Sequence, residues 1–142
     1  MMAKHMNMKK IVPTIALFAA LAASPSQALA KAPLEGQWKN PKGSVIVRIA
    51  TCGNTYCGTV IDASAKAKAT AKKGGTPNLV GTRILSEVRA QGNGTYKGRA
   101  FDPKRNIHAP ATIRLQGDST LVVKGCLLGG FICKEQRWTR VG

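Results

Sequence analysis

Apolar residues between positions 45 and 141 recur mainly with a period of two, which is the spacing of half-buried β-strands. Val45, Val47 and Ile49 show this alternation, and clusters of Gly, Pro, Asn and Asp separate their run from the next ones. The pattern predicts strands over residues 45–49, 56–61, 79–88, 95–101, 107–115, 121–123 and 135–141. Short strands joined in succession by turns indicate an all-β, antiparallel, up-and-down barrel or a sandwich.

Residues 62–75 depart from this pattern because they are rich in alanine and lysine. Both residue types favour helices, but an isolated helix of this length is marginal in water. Two interpretations remain open for the segment: a solvated, mobile loop, or a cationic lid beside the mouth of the barrel. In the second case its lysines are candidate ligand contacts: Lys66, Lys68, Lys72 and Lys73.

The first thirty residues have the three parts of a secretory signal peptide. Lysines and no acids occur in residues 1–10, an uncharged stretch covers residues 11–23, and small residues end the segment at Ala30. The uncharged stretch is too short to cross the hydrocarbon layer of a membrane. We therefore predict cleavage near Ala30, a single domain over residues 31–142, a periplasmic or secreted location and no transmembrane span.

The four cysteines allow three disulfide pairings. A Gly-Gly turn would place Cys126 opposite Cys133, and a turn centred on an Asn-Thr pair would place Cys52 opposite Cys57. Directly opposed strand residues lie about 4.5–5.5 Å apart, a distance that a disulfide spans. Two local disulfides are therefore predicted. A zinc site of four thiolates is disfavoured by the long second spacer and by export to an oxidising compartment.

No arrangement of residues that would support catalysis or metal binding stands out in the sequence. It contains no nucleophile elbow, phosphate-binding glycine loop or His-Glu-x-x-His zinc motif. His108 is the only histidine beyond the predicted leader, so it cannot supply two imidazole ligands to a metal. The sequence thus predicts no enzymatic activity, no cofactor and no metal.

The net charge of +16 over 142 residues predicts an anionic partner. Nucleic acid is the usual partner of a basic domain, but the predicted export disfavours it. Envelope anions remain: anionic lipid, lipopolysaccharide or an acidic protein. The alternative is that the charge serves only solubility.

Several short pieces of the chain, in order, resemble a family of small exported bacterial proteins, the domain of unknown function 2147. The pieces include Gly36-Gln37-Trp38, Cys57-Gly58-Thr59-Val60, the stretch Tyr96 to Pro103, and Gln136-Arg137-Trp138. The resemblance implies a lipocalin-like barrel of about eight strands and no settled activity. Gly36-Gln37-Trp38 also resembles the Gly-x-Trp at the start of lipocalins, which implies a structural plug at one barrel end, with Trp38 covered by Arg140, or by Arg137 in its place.

These observations lead to two hypotheses about function. The first is a secreted protein that binds an amphiphilic anionic envelope component, with Tyr96, Phe101, Arg83 and the four lysines as candidate contacts. The second is a protein-interaction module, such as an inhibitor of an extracytoplasmic hydrolase, because the hairpin tip at residues 127–132 is unusually apolar. That tip either stays exposed or folds back to close one end of the barrel.

Overall fold

The protein folds as a closed barrel of eight antiparallel strands in the computed structural model, which describes residues 13–16, 19–22 and 33–142. Each strand pairs with the next along the chain, and the last pairs with the first. The strands are β1 Gly36–Lys39, β2 Val45–Cys52, β3 Thr55–Ala63, β4 Arg83–Gly92, β5 Thr95–Asp102, β6 Ile107–Gln116, β7 Thr120–Leu127 and β8 Ile132–Arg140. The predicted up-and-down, all-β architecture is confirmed.

The predicted signal peptide lies mostly outside the described residues. Residues 13–16 and 19–22 carry neither helix nor strand. Among the described parts of the chain, we find no helix of the length and hydropathy that a membrane crossing requires.

The strand predicted over residues 79–88 begins later than expected. The run over residues 79–88 becomes a strand only at Arg83, because Gly81 adopts a positive φ of 90° and turns the chain. The turn is held by hydrogen bonds from the Gly81 N–H to the Val60 carbonyl and from the Thr82 N–H to the Leu79 carbonyl. Leu79, although outside the sheet, is buried in a small apolar cluster with Val60.

Up-and-down connectivity places alternate connections at opposite ends of the barrel. The β2–β3, β4–β5 and β6–β7 turns lie at one end, together with residues 33–35, and we call this the closed end. The β1–β2, β3–β4, β5–β6 and β7–β8 connections lie at the other end, which we call the mouth. The main apolar core is centred on Trp38, Ile49, Leu85, Ile113 and Leu121, all of them essentially inaccessible to solvent.

Arg140 covers Trp38 at the closed end. Its guanidinium carbon lies 4.3 Å from the centroid of the indole ring, a cation–π geometry. The guanidinium also donates hydrogen bonds to the backbone carbonyls of Glu35 (2.9 Å), Asp118 (2.6 Å) and Pro33. One side chain thereby ties the segment before β1, the β6–β7 turn and β8 together.

Both predicted disulfides are present, Cys52–Cys57 and Cys126–Cys133, with Cα–Cα distances of 5.6 and 4.1 Å. All four cysteines are therefore oxidised, which excludes the zinc site. Cys126 and Cys133 are directly opposed as expected. The register predicted for the other hairpin was wrong: Cys52 pairs with Thr55, so its disulfide runs diagonally to Cys57.

The alanine- and lysine-rich segment forms a helix, α1 Ala65–Lys73. Ser64 caps it, because its hydroxyl oxygen accepts a hydrogen bond from the Ala67 N–H at 3.1 Å. Ala71 is buried against Val60 and Leu79, with Ala67 packed beside it. Small side chains on this face let the helix lie close against the mouth of the barrel, so docking compensates for its marginal intrinsic stability.

The end of α1 is fixed to the β5–β6 turn. The hydroxyl of Thr76, a buried residue, donates a hydrogen bond to the Pro103 carbonyl at 3.0 Å. A Cβ atom placed on Gly74 would lie 2.0 Å from the carbonyl oxygen of Lys104. Gly74 is therefore required by close backbone contact, since its own φ of −79° suits any residue.

We expect Gly74→Ala to lower the free energy of unfolding by about 1–3 kcal/mol, because the methyl group forces the helix away from the turn. Urea unfolding measures this loss, and hydrogen exchange should show faster exchange in α1. Lys73→Ala is the control: Lys73 is exposed, so its replacement should change stability by less than about 0.5 kcal/mol. Equal stability of the two variants would contradict the docking.

Candidate functional site

A cavity of about 780 Å³ opens at the mouth of the barrel. This volume lies within the range of about 300–1,000 Å³ typical of small-ligand pockets. Val47, Leu85 and Trp138 belong both to the apolar core and to the cavity lining, so they form its floor. The cavity thus occupies the part of the barrel between the core and the mouth.

The barrel is hollow here because small residues lie next to one another on three neighbouring strands. Ala100 of β5 pairs with Ala109 of β6, and both line the cavity with Gly125 of β7. A Cβ atom on Gly125 would contact the Cβ of Ala109 at 4.0 Å without a clash. Larger side chains at these three positions would fill the space, as side chains do in most eight-stranded barrels.

The rim of the cavity is cationic. The basic side chains among the lining residues are Lys42, Lys66, Lys104, Arg105 and Lys134. Asp102 is the one acidic residue in this described lining, and its carboxylate is paired with the Arg105 guanidinium at 2.8 Å. An anionic group at the mouth would therefore meet a surplus of positive charge.

The paired Asp102 stays ionised. Partial burial raises the pKa of its carboxyl group, but hydrogen bonds from the Arg105 side chain and the Lys104 N–H, with the charges of Arg105 and Lys134, outweigh this effect. The net pKa lies below its usual value. The carboxylate accepts the Lys104 N–H at 2.9 Å and so shapes the β5–β6 turn on which α1 rests.

One wall of the cavity carries a polar row along β8. Lys134, Gln136 and Trp138 alternate along the strand and line the cavity from rim to floor. The Trp138 indole N–H donates a hydrogen bond to Oε1 of Gln136 at 2.9 Å. This row places a cation and an amide beside a mostly apolar space.

The candidate contact residues from the sequence are only partly brought together. Phe101 and Lys66 line the cavity. The ring of Phe101 also stacks on that of His108, with centroids 4.7 Å apart. The other candidates lie outside the lining: Tyr96, Arg83, Lys68, Lys72 and Lys73.

Tyr96 lies in the core. Its ring meets that of Tyr56 edge to face, with centroids 6.1 Å apart. Burial, and to a smaller extent the neighbouring Tyr56, raises the pKa of the Tyr96 phenol. Arg83 is exposed at the start of β4, and the lysines at 68, 72 and 73 are exposed on α1.

Sequence reasoning missed the residues that make the cavity: Ala109, Gly125, Lys134 and Gln136. A sequence signal was present for Ala109 alone. In residues 107–113 every second residue is Ile, Ala, Ala and Ile, so two inward positions are unusually small for a barrel core. That strand pattern predicts a gap in the packing, but not its depth or its neighbours.

The apolar hairpin tip stays outside the barrel. Leu128, Phe131 and Ile132 are among the most exposed large apolar residues in the described chain. The sequence left two arrangements open, an exposed tip or a tip that folds back to close one end of the barrel. The structure has the exposed tip.

Comparison with known proteins assigns this chain to a family. The sequence profile of an uncharacterized protein family conserved in bacteria, DUF2147, matches residues 36–140, the span from β1 to β8. The solved structure of protein HP1028 from the human pathogen Helicobacter pylori, described as a member of the lipocalin family, is similar with a TM-score of 0.60. Its sequence identity is 17%, over 77% of this chain and 83% of that chain, so the likeness concerns the fold. No curated protein matches the sequence.

Proposed function

Because this chain belongs to the DUF2147 family and folds as a lipocalin-like barrel, we propose that it binds one small anionic amphiphile in its cavity. The observation that carries the proposal is an apolar cavity of about 780 Å³ with a cationic rim. The apolar part of the ligand lies on the floor of Val47, Leu85 and Trp138. Its anionic group lies at the rim, beside the lysines there, with Lys134 as the main contact.

The charge distribution supports an anionic rather than a neutral ligand. Five basic side chains line the cavity against one carboxylate, and Arg105 already neutralises that carboxylate. The other rim cations, Lys134 among them, are therefore available to a ligand. An exposed ion pair contributes about 0.2–1 kcal/mol, so several together discriminate between charged and neutral forms of one ligand.

We also propose that the protein works outside the cytoplasm. Two disulfides, Cys52–Cys57 and Cys126–Cys133, persist in oxidising compartments. The signal-peptide pattern of residues 1–30 supports the same location. We propose that the protein binds its ligand without transforming it. The basic and polar side chains of the cavity are of the kinds that bind an anion.

Binding of a dansyl-labelled medium-chain fatty acid, and of its methyl ester, tests the function. The full chain with both disulfides formed is titrated with each probe below its micelle concentration. We expect the acid to bind at least about tenfold more tightly than the ester at low salt, a difference of about 1.4 kcal/mol. The difference should shrink as salt screens the exposed rim.

A charge variant at the rim sharpens this test. Lys134→Gln should weaken binding of the acid by up to about fivefold and leave the ester unchanged. Lys124→Gln is the matched control, because Lys124 lies on the adjacent strand and is absent from the cavity lining. Equal affinities for acid and ester would contradict an anionic ligand, and no binding of either probe would contradict the cavity as a site for amphiphiles.

A further inference from the structure

The tip of the β7–β8 hairpin exposes an apolar surface that the cavity does not use. Leu128 is 71% exposed, Phe131 91% and Ile132 57%. Leu128 and Phe131 are absent from the cavity lining, whereas Ile132 contributes to both surfaces. Three large apolar side chains in one turn, at this exposure, are a common sign of an interaction site.

The tip is held in its exposed position. The Cys126–Cys133 disulfide closes the hairpin directly below it, and Leu127 pairs with Ile132 across the two strands. Gly129 adopts a positive φ of 66° inside the 3-10 turn Leu128–Gly130, which makes the reversal tight. The apolar side chains are therefore presented to solvent by a short, cross-linked hairpin.

Lysines border the apolar tip, with one acidic residue, Glu135, opposite Lys124 on the next strand. Residues 125–133 carry no charge, and Lys124 and Lys134 flank them directly. The tip belongs to the mouth end of the barrel, where Lys42, Lys66 and Lys104 line the cavity rim. An apolar centre bordered by lysines is the arrangement of segments that lie in the interface of an anionic bilayer.

We propose that this tip inserts into the surface of an anionic phospholipid bilayer and holds the barrel mouth against it. The side chains of Leu128, Phe131 and Ile132 enter the boundary between headgroups and acyl chains. The lysines at the rim contact the headgroup phosphates, each gaining from the negative surface potential. The proposal rests on the proposed function and extends it: an amphiphile passes between bilayer and cavity along the hairpin, whose Leu127 and Ile132 line the cavity.

The dimensions of the patch favour a bilayer over a protein partner. A stable protein interface buries about 800 Å² on each partner, with a well-packed apolar centre. Here the apolar surface is one hairpin turn, and the cations around it are spread over two strands, one helix and two connections. A bilayer needs no shape complementarity and offers a continuous layer of phosphates to all of these cations.

A tryptophan at the tip reports insertion. Phe131→Trp in the full chain, with both disulfides formed, is mixed with phosphatidylglycerol vesicles and with phosphatidylcholine vesicles. Trp38 is buried in the core, but Trp138 lines the cavity, so the unaltered protein titrated with the same vesicles supplies the background to subtract. We expect a blue shift and quenching by brominated lipids with the anionic vesicles, and a smaller effect with the zwitterionic ones. Val141→Trp is the control, because Val141 is 45% exposed and lies beyond β8 at the closed end.

A polar tip should abolish docking and leave the cavity intact. The double variant Leu128→Ser, Phe131→Ser should bind phosphatidylglycerol vesicles at least about tenfold more weakly in sedimentation. Its affinity for the dansyl fatty acid without vesicles should stay unchanged, since neither side chain lines the cavity. Failure of the fatty acid to bind the unaltered protein contradicts the proposed function, whereas intact fatty-acid binding without vesicle binding contradicts the docking alone.

Four other outcomes would overturn the inference. Vesicle binding that is unchanged in the double variant would assign the contact to the lysines alone. A Phe131→Trp variant whose fluorescence does not change with anionic vesicles would show that the tip stays in water. Concentration-dependent dimerisation that the double variant abolishes, or binding to a purified acidic protein in place of vesicles, would assign the tip to a protein contact.

Discussion

Trp38→Ala should lower the free energy of unfolding by about 3–5 kcal/mol, the largest stability loss that we expect from one substitution in the barrel. Trp38 is fully buried, and its indole N–H donates a hydrogen bond to the Leu34 carbonyl at 3.0 Å. Its removal leaves a large cavity in the core and deprives the Arg140 guanidinium of the ring that it covers. Three consequences therefore coincide: lost burial, a lost hydrogen bond and a lost cation–π contact.

Denaturant unfolding of the oxidised protein measures this loss. For a domain of this size each kcal/mol corresponds to a fall of several degrees in melting temperature, so a drop of at least about 10 °C is expected. Phe131→Ala is the matched control: it also removes an aromatic ring, but from a side chain that is 91% exposed. That variant should remain within about 0.5 kcal/mol of the unaltered protein. Similar losses for both variants would show that Trp38 does not anchor the closed end.

The second large effect concerns binding. Ala109→Phe should reduce affinity for the dansyl fatty acid by at least about tenfold, or about 1.4 kcal/mol, because the ring occupies the space that the ligand needs. Ala109 lines the cavity between Ala100 and Gly125, so the new side chain enters an open volume. Its cost in folding stability should therefore lie at the low end of the 1–3 kcal/mol typical of overpacking.

A second variant and a control make this prediction decisive. Gly125→Leu fills the same space from the neighbouring strand and should have the same effect on binding. Thr112→Phe adds an aromatic ring to β6 at an exposed position outside the cavity lining, and should leave binding unchanged. Unchanged binding in both cavity variants, with folding intact by circular dichroism, would place the ligand outside the barrel.

Local features of the chain determined much of the fold. Alternation with a period of two, interrupted by Gly, Pro and Asn clusters, was sufficient to predict most of the strands and their antiparallel succession. The two disulfides were also predictable, since the cysteines of each pair are five and seven residues apart and lie within single hairpins. A residue's position within its own hairpin depends mainly on nearby turn chemistry, which a sequence displays directly.

Small local errors arose where two turns were compatible with the same residues. Residues 53–57 could reverse around Asn54-Thr55 or around Gly53-Asn54, and the structure has the second arrangement, with Cys52 paired to Thr55. The Cys52–Cys57 disulfide still forms in this register, because diagonal neighbours across a hairpin are close enough for a disulfide to join them. At Gly81 the apolar run continued while the strand did not, so periodicity alone misplaced the start of β4.

Helix α1 shows why its lysines could not be assigned from the sequence. Alanine and lysine favour a helix over residues 65–73, but only docking on the apolar cluster of Val60 and Leu79 decides which side faces the barrel. That choice brings Lys66 to the cavity and leaves Lys68, Lys72 and Lys73 outside its lining. A composition-based candidate list treats all four alike.

The sequence by itself determined the strand pattern, the local disulfides and the excess of positive charge. Only the tertiary structure decided that the barrel has a cavity and where its cations lie. Ala100, Ala109 and Gly125 border one void because β5, β6 and β7 pair side by side, and Lys134 reaches the rim because β8 pairs with β7. Spacing along the chain reports which residues share a strand face, whereas a cavity is a property of the side chains that several strands bring together.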